Sequence, residues 1–233
     1  MKIVSESLKS FNKKYSLNEY IFNTGLSGNK YSSDIIPEFK NEVLNYLDKG
    51  TWKKTPEIKQ MFTAAERKLK MWSEKNPKDW PGWFKHFKRN EDGTLSIYNF
   101  TNPSAISYIF LKETIGEHGA ISIKPSKNWR TECFFQSIEY KREHPEVNIV
   151  GGIIIKNDDK KNISLENLVV HAFNEKNRKF YDPTFSQQLV ERLTYFPLFL
   201  YEGDSEDELA KICWKYANSI EAAIEEKGLY IAI

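Results

Sequence analysis

Between residues 147 and 185 three strand-like runs follow one another, and no other feature limits the possible folds of this chain as much. VNIVGGIIIKN reads as a buried strand and NDDKKN as turn residues; SLENLVVHAFNE and KFYDPTF supply two more strands. Connections this short suit antiparallel neighbours, since a parallel pair needs a long crossover.

Around this sheet the periodicity is helical. SDIIPEFKNEVLNYLDKG has Pro37 early, Ile36, Phe39, Val43, Leu44 and Leu47 at helical spacing, and Gly50 as a stop. TPEIKQMFTAAERKLKMWSEKN follows with Thr55 as N-cap and Pro56 at the first helical position. NPSAISYIFLKETIG repeats the device with Asn102 and Pro103 and ends at Gly116. KNPKDWPGWFKHFKRNEDGT, with its tryptophans and turn residues, reads as a loop. A further helix is predicted from near Thr131 to just before Pro145, because the residue preceding a proline avoids helical geometry. SEDELAKICWKYANSIEAAIEEKG closes the chain as a helix, with Ser205 and Glu208 as a capping box and Gly228 as the stop. Its apolar stripe is Leu209, Ile212, Cys213, Tyr216, Ile220 and Ile224. Taken in order, these elements predict an α+β fold: a helical region over 1–118, then a core over 119–233 in which a cysteine-bearing helix packs on an antiparallel sheet, with a closing C-terminal helix.

Composition excludes several classes. At 233 residues, 40% hydrophobic and 28% charged, the chain has the balance of a soluble globular protein. No apolar run is long enough to span a bilayer, and MKIVSESLKSF lacks the apolar segment of a secretory signal. Two widely spaced cysteines do not make a disulfide framework, so a reducing, cytoplasmic setting is expected. Residues 50–90 carry eleven Lys or Arg against four acids. A solvated helix surface is the plainer reading of that imbalance. The other is a basic aromatic surface for nucleic acid or a protein partner.

The chemistry centres on His171 and Asp182. A hairpin symmetric about Lys176–Asn177 would place them directly opposite one another, with Val169 and Phe173 on the face of His171 and Phe180 and Thr184 beside Asp182. An aspartate there holds one imidazole nitrogen and leaves the other free; alone, such a pair more often just ties two strands together. Cys133 adds a nucleophile. It falls in the expected first turn of a helix, where the dipole and a neighbouring imidazolium both favour a thiolate. Cys213 lies on an apolar helix stripe and is assigned to the core.

A cysteine opening a helix, then His171-Ala172-Phe173 on a strand, then Tyr181-Asp182-Pro183-Thr184 on the next, resembles the transglutaminase-like and papain-like superfamily over roughly residues 120–185, about a quarter of the chain. Phe173 stands where many members have tryptophan, Arg130-Thr131-Glu132 precedes the cysteine where a glycine is frequent, and Lys127 occupies the position of the papain-type oxyanion glutamine. The resemblance implies a thiol hydrolase (a protease or amidase) or an acyltransferase, with Cys133 as nucleophile, His171 as acid–base and Asp182 as its orienter. Its substrates would be peptides, proteins or other amides and esters. The oxyanion donors would be the Cys133 N–H and a group from Lys127, Asn128 or Trp129. An arylamine acetyltransferase-like carrier uses the same residue order, without the expected surroundings of its cysteine. The alternative from another class is a catalytically inactive binding module working through residues 50–90.

No cofactor is implied. His86, His118 and His144 lie in an aromatic loop, a turn and a helix end, no second cysteine or histidine adjoins Cys133 to hold zinc, and Gly151-Gly152 precedes a strand rather than opening a phosphate-binding helix.

Overall fold

The computed structural model describes residues 34–58, 87–89, 95–97, 103–123, 133–159 and 162–227, together with helical positions 63, 67 and 71. By packing, Leu111–Asn218 form the body of one compact unit, and Pro37–Phe110 with the segment from Ser219 onward form another.

In the second of these, helix α1 (Pro37–Lys49) opens on Pro37, whose fixed φ and missing N–H suit a first turn. It buries Phe39, Val43, Tyr46 and Leu47. Gly50 ends it in the left-handed region, at φ 65. A 3-10 turn over Thr51–Lys54 then tucks Trp52 inward, its Nε1 donating to Leu47 O at 3.1 Å. The Thr55 hydroxyl, expected to cap the next helix, donates back to Trp52 O at 2.8 Å. Helix α2 (Pro103–Thr114) begins at Pro103 as expected and sets Phe110 edge-on to Phe39 and Tyr46, at 5.8 and 5.3 Å between ring centres. The segment read as a loop before α2 contains strand: β1 (Phe87–Arg89) pairs antiparallel with β2 (Leu95–Ile97). The Asp92-Gly93 dipeptide between them is a hairpin signal that a reading of turn residues alone passes over.

The other unit is built on a five-stranded sheet of order β3-β6-β5-β4-β7. Its strands are β3 (Ile121–Ser122), β4 (Asn148–Asp159), β5 (Asn162–Lys176), β6 (Lys179–Asp182) and β7 (Leu193–Tyr201). The sheet is mixed, not purely antiparallel, because β3 runs parallel to β6 while the other pairs are antiparallel.

Alternation along β4 and β5 separates two cores. Ile149, Val170 and Ala172 join Ile138 of helix α3 (Cys133–Glu143), Tyr201 of β7, and Leu209 and Cys213 of the closing helix. Val150, Ile154 and Phe173 join Leu189 and Val190 of helix α4 (Gln187–Val190), with Leu193 and Tyr195 of β7. The helix expected near Thr131 therefore starts at Cys133 among the described residues and ends two residues before Pro145.

The closing helix α5 (Glu206–Glu226) has three acids in its first turn. Half of its capping box forms: Glu208 N donates to the Ser205 hydroxyl at 3.3 Å. The return bond does not. The Glu208 carboxylate accepts from the Tyr201 hydroxyl at 2.7 Å, and that hydroxyl receives Ser205 N at 3.2 Å. Gly228, the expected stop, lies outside the described residues.

Candidate active site

His171 and Asp182 meet, by a different route from the one the sequence suggested. The β5–β6 pairs are Asn174–Tyr181, Glu175–Phe180 and Lys176–Lys179, which makes Asn177–Arg178 the turn. Both turn residues have positive φ, 54 and 62, as the tight hairpin that matches strand twist requires. Continued one step, this register sets Asp182 beside Phe173, so His171 is a diagonal neighbour and not a direct one. The register differs from the symmetric reading by two residues, an even number, so both side chains stay on the same face. Diagonal positions remain within reach of long side chains. His171 Nε2 and Asp182 Oδ2 are 2.9 Å apart.

Both groups are almost fully enclosed, His171 at 2% exposure and Asp182 at 0%. Phe185 stacks on the imidazole at 4.9 Å and 8° between planes, with Phe173 and Tyr195 at 6.3 and 6.2 Å. The apolar wall expected from strand alternation is thus present, and Phe173 packs edge-on to Phe180 within it. Asp182 accepts four hydrogen bonds. Oδ1 takes the backbone N–H of Thr184 at 2.7 Å and of Phe185 at 3.2 Å. Oδ2 takes the Tyr195 hydroxyl at 2.6 Å besides the imidazole. A buried carboxylate satisfied in this way stays ionised. Burial alone would raise its pKa, but the His171 charge and these donors hold it below the usual carboxylate value.

Cys133, the first residue of α3, is 6% exposed and hydrogen-bonds the same imidazole. With Nε2 directed at Asp182, Nδ1 is the ring nitrogen left for the sulfur. Helix α3 packs on β5 and β4. Before Asn174, β5 has no pairing with β6 among the described residues. Burial disfavours the imidazolium, yet the charges of Asp182 and Cys133 and hydrogen bonds to both outweigh it, and the pKa of His171 is raised to about 10. The imidazole is therefore protonated at neutral pH, flanked by an ionised carboxylate and a sulfur.

The structure brings together the three residues singled out in the sequence and adds Tyr195, which the sequence did not point to. Tyr195 lies on β7, a strand whose run LTYFPLFLY contains Pro197. Proline in a run argues against a central strand, and β7 is accordingly at the sheet edge, with an irregularity in its pairing to β4 between Gly151 and Gly152. Cys213, assigned to the core, is fully buried against Gly151. Burial first, then the nearby Cys133, pushes its thiol pKa well up. His118, read as part of a turn, pairs its backbone with Tyr195 at 2.9 and 3.1 Å. His144 follows α3, and His86, Lys127, Asn128 and Trp129 lie outside the described residues, as does most of the basic span 50–90. Among the described residues no cluster of His, Cys, Asp and Glu could hold a metal ion, and no helix is long and apolar enough to cross a membrane.

No family model matches this chain, and neither a curated protein nor a solved structure matches it.

Proposed function

We propose that this chain is a cysteine-dependent enzyme acting on acyl groups, with Cys133 as nucleophile, His171 as acid–base and Asp182 as orienter, on a papain-like or transglutaminase-like core. One observation carries the reading: a cysteine at a helix start, a histidine and an aspartate are linked by hydrogen bonds in a buried site, and the histidine is held protonated. Such an arrangement sets a cysteine sulfur beside an imidazole whose pKa is raised, the pairing by which a thiol nucleophile is activated. Structural His–Asp pairs are common, but they do not need a third, nucleophilic member on the free side of the ring.

The sulfur attacks the carbonyl carbon of an amide or ester. His171 then gives its proton to the departing amine or alcohol, leaving a thioester on Cys133 and a neutral imidazole. Water that loses a proton to His171 completes a hydrolysis; an amine doing the same completes an acyl transfer, and in either case Cys133 leaves as thiolate. Asp182 keeps the ring in one tautomer through both halves.

Iodoacetamide tests the assignment without a known substrate. Limiting reagent should label Cys133 in the native chain, and the rate and its pH profile should change in His171→Ala. Cys213, buried and pushed the other way, should react only on unfolding. If Cys133 stays inert, or if His171→Ala leaves its pH profile unchanged, the reading fails.

A further inference from the structure

We propose that Tyr195 is a positioning residue of this site: its hydroxyl, donated to the carboxylate oxygen that also receives His171, fixes Asp182 to the sheet and through it sets the imidazole. The proposal rests on the reading of Cys133, His171 and Asp182 as a working set.

The backbone of Asp182 is held by β3, where Ser122 pairs with it and Ile123 N–H donates to its carbonyl at 3.2 Å, but its carboxylate needs ties of its own. Asp182 is the last residue of a four-residue strand, and the two bonds to Oδ1 come from the turn that immediately follows it. Among the described residues, the bond that ties Oδ2 to a strand other than the histidine's own is the one from Tyr195, at 2.6 Å. Tyr195 itself is pinned on both sides. Its Cα is paired with Ile154 of β4, and its N–H and C=O are both bonded to His118. Its ring, 0% exposed, packs edge-on to Phe173 at 5.1 Å. A rigid backbone, a locked ring and a short bond to the shared oxygen make the phenol a strut between β7 and the end of β6.

The strut also has an electrostatic consequence. The titratable groups that reach the imidazole or its carboxylate are Cys133 on α3, Asp182 at the end of β6 and Tyr195 on β7. Burial, with the Asp182 charge, raises the phenol pKa, so Tyr195 remains a donor across the working pH range. By donating to Oδ2 it competes with His171 for the charge on that oxygen. Without the phenol, the imidazolium is held more strongly.

The test uses the full chain and the rate of Cys133 alkylation by iodoacetamide against pH. A thiolate paired with an imidazolium gives two inflections, the upper one where the imidazolium loses its proton. In Tyr195→Phe, which keeps the ring and removes only the donor, the upper inflection should move to higher pH by about half a unit. Replacing Tyr195 by 3-fluorotyrosine, a stronger donor of nearly the same shape, should move it the opposite way, and this keeps the test open if the phenylalanine variant does not fold. Leu189→Ala destabilises the same core without touching the carboxylate and should leave the inflection in place. Coincident profiles for the wild type and both Tyr195 variants, with His171→Ala still shifting the profile, would overturn the role of Tyr195 alone. If His171→Ala shifts nothing, it is the functional reading that fails.

Discussion

Replacing Asp182 by asparagine changes one heavy atom and tests the electrostatics of the whole site. The carboxylate accepts four hydrogen bonds at 0% exposure. Asparagine has one acceptor oxygen, and the two backbone N–H groups of Thr184 and Phe185 would claim it. Its NH2 would then face the Tyr195 hydroxyl and His171 Nε2, both donors in the native site. The imidazole must become neutral and turn its lone pair toward the amide, which moves its proton to Nδ1. Removing one partner of a buried ion pair costs about 3–5 kcal/mol. With a urea dependence of about 1–3 kcal/mol per molar, the unfolding midpoint should fall by roughly 1–5 M.

The pH dependence separates this cause from a simple packing defect. The pKa of His171 lies at about 10 in the folded state, above its unfolded value of 6.5. Its contribution is therefore fully present below 6.5 and lost as pH rises toward 10. Asp182 is shifted the other way, so its contribution is present above 3.8 and lost as pH falls through its lower folded value. The wild type should thus lose stability between pH 6.5 and 10, and Asp182→Asn should show little of that slope. Urea titrations at pH 6, 8 and 10 read both quantities. A loss below about 1 kcal/mol, or a variant retaining the wild-type slope, would refute the assignment of a protonated His171 paired to an ionised Asp182.

The same geometry sets three other expectations. In Gly152→Ala the new Cβ would lie 2.3 Å from Phe196 O and 3.2 Å from the Phe173 ring. Backbone must shift at the position paired with His171, so urea unfolding should show a loss of about 2–3 kcal/mol, and Cys133 labelling should slow. Arg178→Gly relieves a non-glycine residue at φ 62 and should raise thermal stability by the equivalent of about 1 kcal/mol. Ser205→Ala removes the acceptor of Glu208 N and should cost about 0.5–1 kcal/mol of urea stability without altering Cys133 reactivity.

The hairpin shows why the meeting of His171 and Asp182 was legible in the sequence while its register was not. Strand periodicity has a period of two, so alternation alone identified which residues share a face with His171, and Val169 and Phe173 do share it. Register is a separate matter, fixed by the turn. A symmetric arrangement of Glu175 and Arg178 around Lys176–Asn177 looked self-consistent, but the tight turn needs positive φ at both central positions. Asparagine adopts that conformation most readily among non-glycine residues, and the turn forms with Asn177 first and Arg178 second. Because this moves the register by two and not one, His171 and Asp182 remain on one face and within hydrogen-bond reach despite the error about opposition. A shift of one would have put them on opposite faces.

Tyr195 was beyond the reach of the same argument, and the reason is physical. Local pattern places a residue on a strand and a face, but the Asp182–Tyr195 contact joins strands that are not neighbours in the sheet, with β5 and β4 between β6 and β7. Nothing in the spacing of residues 182 and 195 specifies that closure. What does specify it is the sheet order, and the sheet order depends on β7, a strand that the sequence reading did not include. Pro197 is tolerated because β7 is an edge strand, where a missing N–H costs no ladder bond. The proline marks its place: an edge position beside β4 from which a tyrosine reaches across the face of the sheet to the aspartate at the end of β6. A reading that treats Pro197 as evidence for an edge strand would have recovered β7 and with it a buried phenol on the histidine face.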